Sequence, residues 1–285
     1  REILNNNKFI ENKYFNYLID INNFDMINEI FKEHKPDIVY HAAASKHVDL
    51  VENNWFYGSM NNIRSTYNIC ESSIMNNVKK TIFISTDKAV EPINFLGLSK
   101  AVGEKITKYY GKFSKTSNFS VVRFGNVVGS SGSLLDAIKH QLKISNTINI
   151  TDKKMTRYFM TISDAANLVL ISTKISNNGD CHVLKMGEPV KIIDIINSIV
   201  DERNSQFKAS QSIEVKETGM RPGEKLHEKL YDQNWIQETE NKFILNENKV
   251  LTQDTIDIKK FLEEIKIFHQ NKEIFKEKLL KFINF

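Results

Sequence analysis

The sequence predicts an α/β protein built on a doubly wound parallel sheet, and three observations carry that prediction. Short, wholly apolar runs such as Thr81–Ser85 (TIFIS) have the length and content of strands buried on both faces. Helix-length segments separate them; Asn62–Asn77 repeats apolar side chains at Ile63, Tyr67, Cys70 and Ile74. The strands close on small or polar residues, where an open α/β sheet collects its ligands.

Each element follows in order. Pro36–Ala44 (PDIVYHAAA) reads as a buried strand opened by proline and closed by small side chains. The helix at Asn62–Asn77 and the strand at Thr81–Ser85 come next. A second helix runs from Phe95 to Tyr110, with Leu98, Val102, Ile106 and Tyr109 at helical spacing. Phe119–Gly129 (FSVVRFGNVVG) is expected as one strand. Beyond it lie a helix at Ser163–Lys174, a strand at Cys181–Gly187, a helix at Ile192–Val200 and a strand at Ile213–Gly219. Two charged helical stretches end the chain. No repeat, low-complexity linker or glycine/serine hinge interrupts it, so the second half is expected to pack onto the first.

Composition narrows the function classes. With 285 residues and 41% hydrophobic content, the chain can bury one large or two modest cores. The 39 basic side chains are interspersed with 35 acidic ones, and no basic run alternates with aromatics, so nucleic acid is not an expected partner. Cys70 and Cys181 stand apart and outside any CxxC pattern, which suits small core residues in a reduced, cytoplasmic protein. The longest apolar runs are strand-sized. His41 and His47 lack metal-ligand spacing, so no metal is expected.

The chemistry is concentrated in Ser85–Lys100 (STDKAVEPINFLGLSK). A strand stops there on a hydroxyl, a carboxylate and an amine: Thr86, Asp87 and Lys88. One interpretation is a polar turn, with Asp87 capping the next helix and Lys88 in solvent. The other is an acid and a base at the ligand-binding end of the sheet. Lys100, on the following helix, could serve as a surface residue or as a ligand. Leu96 stands one turn before it, where a reactive tyrosine would otherwise fit.

The order of these pieces resembles the extended short-chain dehydrogenase/reductase superfamily. Within it, HAAASKHV, STDKAVEPINFLGLSK, VVRFGNVVGSSGS, MTRYFMTISDA, MGEPVKIIDI and TGMRPGEKLHEKL closely resemble the polysaccharide-biosynthesis branch. Members of that branch are nucleotide-sugar 4,6-dehydratases acting on UDP-N-acetylglucosamine. The resemblance extends in unbroken order from Asp20 to Asp232. It implies a Rossmann-like NAD- or NADP-binding domain over residues 1–131 that lacks its first βαβ portion. A smaller mixed α/β nucleotide-sugar region over 132–245, interleaved with the first, and a helical C-terminal extension over 246–285 complete the implied organisation. No glycine precedes Gly58, so the expected phosphate-binding glycine turn is not in this chain, and an upstream part is expected. Membrane attachment, if any, is expected only through that part. Leu18–Asn23 corresponds to a third strand, with Asp20 and Ile21 bordering the adenine. A homo-oligomer is implied, assembled through the helices at Asn62–Asn77 and Phe95–Tyr110.

The resemblance also implies roles for single residues. A 4,6-dehydratase moves hydride from sugar C4 to the nicotinamide, loses the C5 proton and the C6 hydroxyl as water, and returns hydride to C6. Lys88 corresponds to the base, Asp87 to the acid, and Thr86 to the group bonding the C4 oxygen. Lys100 corresponds to the lysine on the nicotinamide ribose, with Ala42, Ala43, Ala44, Asn62 and Ser85 also along the cofactor. Lys46, Asn126, Ser133, Arg157 and Arg221 correspond to substrate contacts, the two arginines gripping the diphosphate. Leu96 cannot take a proton, which fits the larger dehydratase branch and leaves ionised Asp87 or a water on Thr86 to accept the C4 hydroxyl proton. A nucleotide-sugar epimerase, a C5-inverting dehydratase and a non-catalytic nucleotide-sugar binder are the alternatives, with the Asp87–Lys88 pair favouring elimination.

Overall fold

The computed structural model describes residues 14–130, 132–207, 213–249 and 257–284. Its centre is a six-stranded sheet. Strands β1 (Ile38–His41), β2 (Lys80–Thr86), β3 (Asn118–Phe124) and β8 (Cys181–Leu184) run parallel and side by side. The final two strands, β12 (Ile244–Glu247) and β11 (Ile236–Glu238), join antiparallel at one edge. Ile82, Phe83, Val121, Val122 and Val183 are buried in it, as apolar strands covered on both faces must be.

One face is covered by α3 (Trp55–Met75) and α4 (Phe95–Phe113), and the opposite face by α6 (Ile162–Ile175). Met160, Ala165, Leu184, Met186 and Leu230 form the core on the α6 side with Ile82, Val122 and Val183. Helix α1 (Phe24–His34) seats Ile27 and Phe31 against Ile69 and Val78.

A separate, smaller core lies beyond the sheet. It joins Ile138 of α5 (Leu134–Ile144), Ile148 and Ile150 of β5 (Thr147–Ile150), and Ile192 and Ile196 of α7 (Ile192–Phe207). Strand β10 (Glu214–Glu217) pairs with β5 there. Two pairs of short strands stitch this region to the rest: β4 (Asn126–Val128) pairs with β7 (Phe159–Thr161), and β6 (Thr156–Arg157) pairs with β9 (Val190–Lys191).

The structure corrects several expected boundaries. Phe119–Gly129 is two strands: β3 stays in the main sheet and β4 leaves it after Gly125. A side chain at Gly125 would press on Asp87, Met186 and Tyr158, so the chain changes direction where only hydrogen fits. Helix α3 begins seven residues before the expected Asn62, at Trp55. Gly58 interrupts the apolar pattern there because α2 (Val48–Asn53) comes so close that a Cβ would stand 3.1 Å from Val51. Leu18–Asn23 forms no strand; it is irregular chain ending in a turn at Ile21–Asn22. A strand needs a hydrogen-bonded neighbour, and β1 is the edge of the sheet among the described residues.

The C-terminal helices α8 (Ile258–Lys266) and α9 (Lys272–Asn284) complete the largest core. Ile258, Leu262, Ile265, Phe275, Leu279 and Phe282 pack with Ile63, Cys70, Leu98, Val102 and Ile106 of α3 and α4. Tyr67 and Ile74 pack against the same cluster. Among the described residues, no helix is long and apolar enough to cross a membrane.

Candidate active site

A cavity of about 660 Å³ opens at the carboxyl ends of β1, β2 and β3. Strand β2 delivers Ser85 and Thr86 to it, and a 3-10 turn at Asp87–Ala89 presents Lys88. Helix α4 supplies Leu96 and Lys100. That helix is capped by Asn94, whose side chain accepts from the Gly97 amide at 2.7 Å. Asp87 is thus not the helix cap, and Lys88, 18% exposed, is not a solvated surface lysine.

The acid and the amine are directly paired. Lys88 Nζ donates to Asp87 Oδ1 at 3.0 Å, and the Thr86 hydroxyl donates to the same oxygen at 2.8 Å. Asp87 is wholly buried, and its second oxygen, Oδ2, accepts no hydrogen bond. Asp87 lies behind the cavity wall formed by Thr86 and Lys88. Gly97 makes the arrangement possible. Any side chain there would collide with the Lys88 carbonyl, so glycine lets α4 press against the turn.

Lys100 approaches from the other side. Its Nζ donates to the Ile84 carbonyl at 2.8 Å and sits 4.5 Å from the Phe83 ring centre. Burial pulls its ammonium down to about 8, and Glu104 partly opposes the shift. Beneath it, burial and the Lys100 charge lower His41 to about 3. His41 is held by Thr66 at 3.1 Å.

Most of the other expected residues reach the same cavity. Ala42 and Ala44 line it beside β1, and Lys46, Asn126 and Ser133 line it as well. Ser85 turns its hydroxyl to Glu104 at 2.6 Å. Asn62 lies outside the wall but fixes the Ser45 main chain, accepting from its amide at 2.7 Å and donating to its carbonyl at 3.1 Å. Ala43 also stands outside the wall. Asp20 and Ile21 form the turn before α1, where two hydrogen bonds from Asn22 hold the Asp20 carboxyl below its usual range.

The two arginines differ sharply. Arg157 is buried, and its guanidinium donates to the carbonyls of Thr156, Lys225 and Leu226 at 2.6, 2.9 and 3.1 Å. Arg221 is exposed and lies outside the cavity wall; its amide donates to Glu224 at 3.1 Å.

One residue at the site was missed from sequence. Glu228 is buried, with Oε1 3.9 Å from Lys88 Nζ. It lies 140 positions further along the chain, within TGMRPGEKLHEKL, and its neighbours in sequence carry no sign of that approach.

The residues present fit the nicotinamide half of a dinucleotide. Small side chains at Ala42 and Ala44 leave room at the sheet's end, and Lys100 offers a cation inside the cavity. Among the described residues, no cluster of histidine, cysteine and carboxylate side chains is placed to hold a metal ion.

A parallel sheet covered by helices on both faces, with a lysine-bearing cavity at its strand ends, defines an extended short-chain dehydrogenase/reductase. This is the fold shared by nucleotide-sugar dehydratases and epimerases. Within that class the chain belongs to the polysaccharide biosynthesis protein family, whose pattern matches residues 2–249. It is 41% identical to the capsular polysaccharide biosynthesis protein CapD of Staphylococcus aureus over 77% of this chain and 36% of CapD. The chain therefore spans about a third of that relative's length. It is 36% identical to the UDP-glucose 4-epimerase of Rickettsia rickettsii, over 75% of this chain and 61% of the epimerase. Its fold superposes on the crystal structure of Pen from Bacillus thuringiensis with a TM-score of 0.77, at 29% identity over 90% of this chain and 83% of Pen.

Proposed function

We propose that this chain carries the catalytic centre of a nucleotide-sugar 4,6-dehydratase that converts UDP-N-acetylglucosamine to a UDP-4-keto-6-deoxy sugar for surface-glycan synthesis. One observation carries the proposal. An acid and an amine, Asp87 and Lys88, are paired at 3.0 Å beside the cavity, and the position for a lone tyrosine acid–base holds Leu96. Exchange of hydride at a single carbon needs one proton-transfer group. Elimination across two adjacent carbons needs two, and the site has two.

NAD or NADP would supply hydride acceptance and return, held at its nicotinamide end by Lys100 and the small residues of β1. Thr86 would donate to the C4 oxygen of the sugar. Ionised Asp87 would accept the C4 hydroxyl proton and give it to the departing C6 hydroxyl, which leaves as water. Lys88 would take the C5 proton and return a proton to C5 as hydride reaches C6, so both groups end in their starting states. Lys46, Asn126 and Ser133 would contact the nucleotide sugar. Arg157 would act through the main chain of 225–226, which it binds, and Arg221 would reach a diphosphate only from outside the cavity wall. The buried, free thiols of Cys70 and Cys181 support a reducing, cytoplasmic setting.

The test is mass spectrometry of UDP-N-acetylglucosamine after incubation with the protein and either nicotinamide dinucleotide. The expected product has lost one water. The Rickettsia relative favours a second reading, 4-epimerisation, which gives a product of unchanged mass and inverted C4. A sugar recovered unaltered would exclude both.

A further inference from the structure

The site holds more buried charge than one acid and one base require. Glu228 is 6% exposed. Its Oε1 faces Lys88 Nζ at 3.9 Å, and its Oε2 lies 3.7 Å from Lys225 Nζ without accepting a hydrogen bond. Lys225 donates to the Val90 carbonyl at 2.7 Å, at the end of the turn that carries Asp87 and Lys88. Carboxylates and ammonium groups therefore alternate from Asp87 through Lys88 and Glu228 to Lys225.

The segment bearing Glu228 is held from several directions. The Thr156 amide donates to Leu226 at 3.1 Å, and the Thr156 hydroxyl pairs with His227 at 2.8 Å. Arg157 binds the carbonyls of Lys225 and Leu226. A carboxylate this confined cannot swing to solvent, so its partners define its role. Burying one without a counter-ion is strongly unfavourable.

Two lysines share this one carboxylate, which matters for a base. With Lys88 as sole counter-ion, Glu228 would become an unpaired buried charge each time Lys88 released its proton. Lys225 remains to balance it, so Lys88 can pass between ammonium and amine without stranding a carboxylate. We infer that Glu228 is a positioning residue for Lys88, keeping Nζ between itself and Asp87, with Lys225 as its standing counter-ion. Glu228 lies outside the cavity wall, and the site group it faces is Lys88, through which it acts. The inference rests on the dehydratase reading, in which Lys88 takes the C5 proton.

Glu228→Gln in the full-length, cofactor-loaded protein tests it. Turnover of UDP-N-acetylglucosamine should fall about 100-fold, with KM held within about twofold. Entry of solvent deuterium at C5 should slow in parallel, while the substrate-induced change in nicotinamide absorbance, which reports the earlier hydride step, should persist. Unchanged turnover, or a loss confined to KM, overturns the inference. Should that variant not fold, Lys225→Met asks the same question: turnover should fall with KM retained, and unchanged turnover overturns the role. If the unaltered protein forms no dehydrated product, the dehydratase reading fails separately. A crystal structure of Glu228→Gln then decides the positioning role alone. Displacement of Lys88 Nζ by about 1 Å or more supports it, and an unmoved Nζ overturns it.

Discussion

Two buried polar clusters lie side by side at the ends of β2 and β3, and they are finished differently. Arg123, the register partner of Ser85, uses all five of its N–H donors. It makes two bonds to Glu104 at 3.0 and 2.7 Å, two to Glu247 at 2.9 Å each, and one to the Leu230 carbonyl at 3.1 Å. Burial alone would push the Glu247 carboxyl up, but the Arg123 charge and hydrogen bonds outweigh it and hold that carboxyl below its usual range. In the second cluster, Asp87 Oδ2 and Glu228 Oε2 are buried without a hydrogen bond. A closed network ties strands to helices and has nothing left to offer a reactant. An incompletely bonded one is costly to fold and is retained where its free valences meet chemistry.

The largest expected effect breaks the first cluster. Arg123→Met strands two buried carboxylates and should remove about 3–5 kcal/mol in urea unfolding. Lys88→Met should abolish product formation, at least about 100-fold, and because it takes the counter-ion from buried Asp87 it should also destabilise, though less, since Thr86 still donates to Asp87 and Lys225 still faces Glu228. Equal destabilisation by both would erase the distinction between the clusters.

The arginines sharpen it next. Arg157→Ala removes three hydrogen bonds to main-chain carbonyls and should cost about 2 kcal/mol, whereas Arg221→Ala should stay within about 0.5 kcal/mol. Thermal melts of the two variants give the answer, and indistinguishable melting temperatures would refute the assignment of Arg157 to the scaffold.

A pH-dependent comparison concerns His41, which burial and Lys100 hold at about 3 against an ordinary 6.5. The unfolded chain takes up that proton below pH 6.5, while the folded chain resists it until near pH 3. Stability therefore falls as pH drops through that window, by about 1.4 kcal/mol per pH unit. His41→Gln should flatten this part of the acid limb in urea titrations at successive pH values. Matching slopes for the two proteins would show that His41 does not set it.

Much of the scaffold was legible because it depends on local pattern. The apolar run at Thr81–Ser85 and the helical spacing from Leu98 to Tyr109 each specify an element without help from distant residues. Where the expectation failed, tertiary contact had overridden local pattern. Gly58 hides the first turns of α3 because it answers to Val51 on another helix, and Gly125 splits a strand because it answers to Asp87. The candidate site divides the same way. Thr86, Asp87, Lys88 and Lys100 are close in sequence and share a recognisable motif. The approach of Glu228 and the three Arg123 bonds to Leu230 and Glu247 exist only once the second half of the chain has folded onto the first. No spacing rule connects residues 88 and 228.

The contact at Gly97 has a mechanical consequence. Helix α4 rests on the Lys88 carbonyl with no side chain between, so Lys100 and the Asp87–Lys88 pair are carried on one closely packed unit. Leu134, Leu135, Val190 and Ile195 on the opposite wall belong to elements of the smaller core. In the proposed reaction, that closely packed unit would keep the hydride and proton steps in register, and the space for a sugar nucleotide would be set by how the opposing wall is packed.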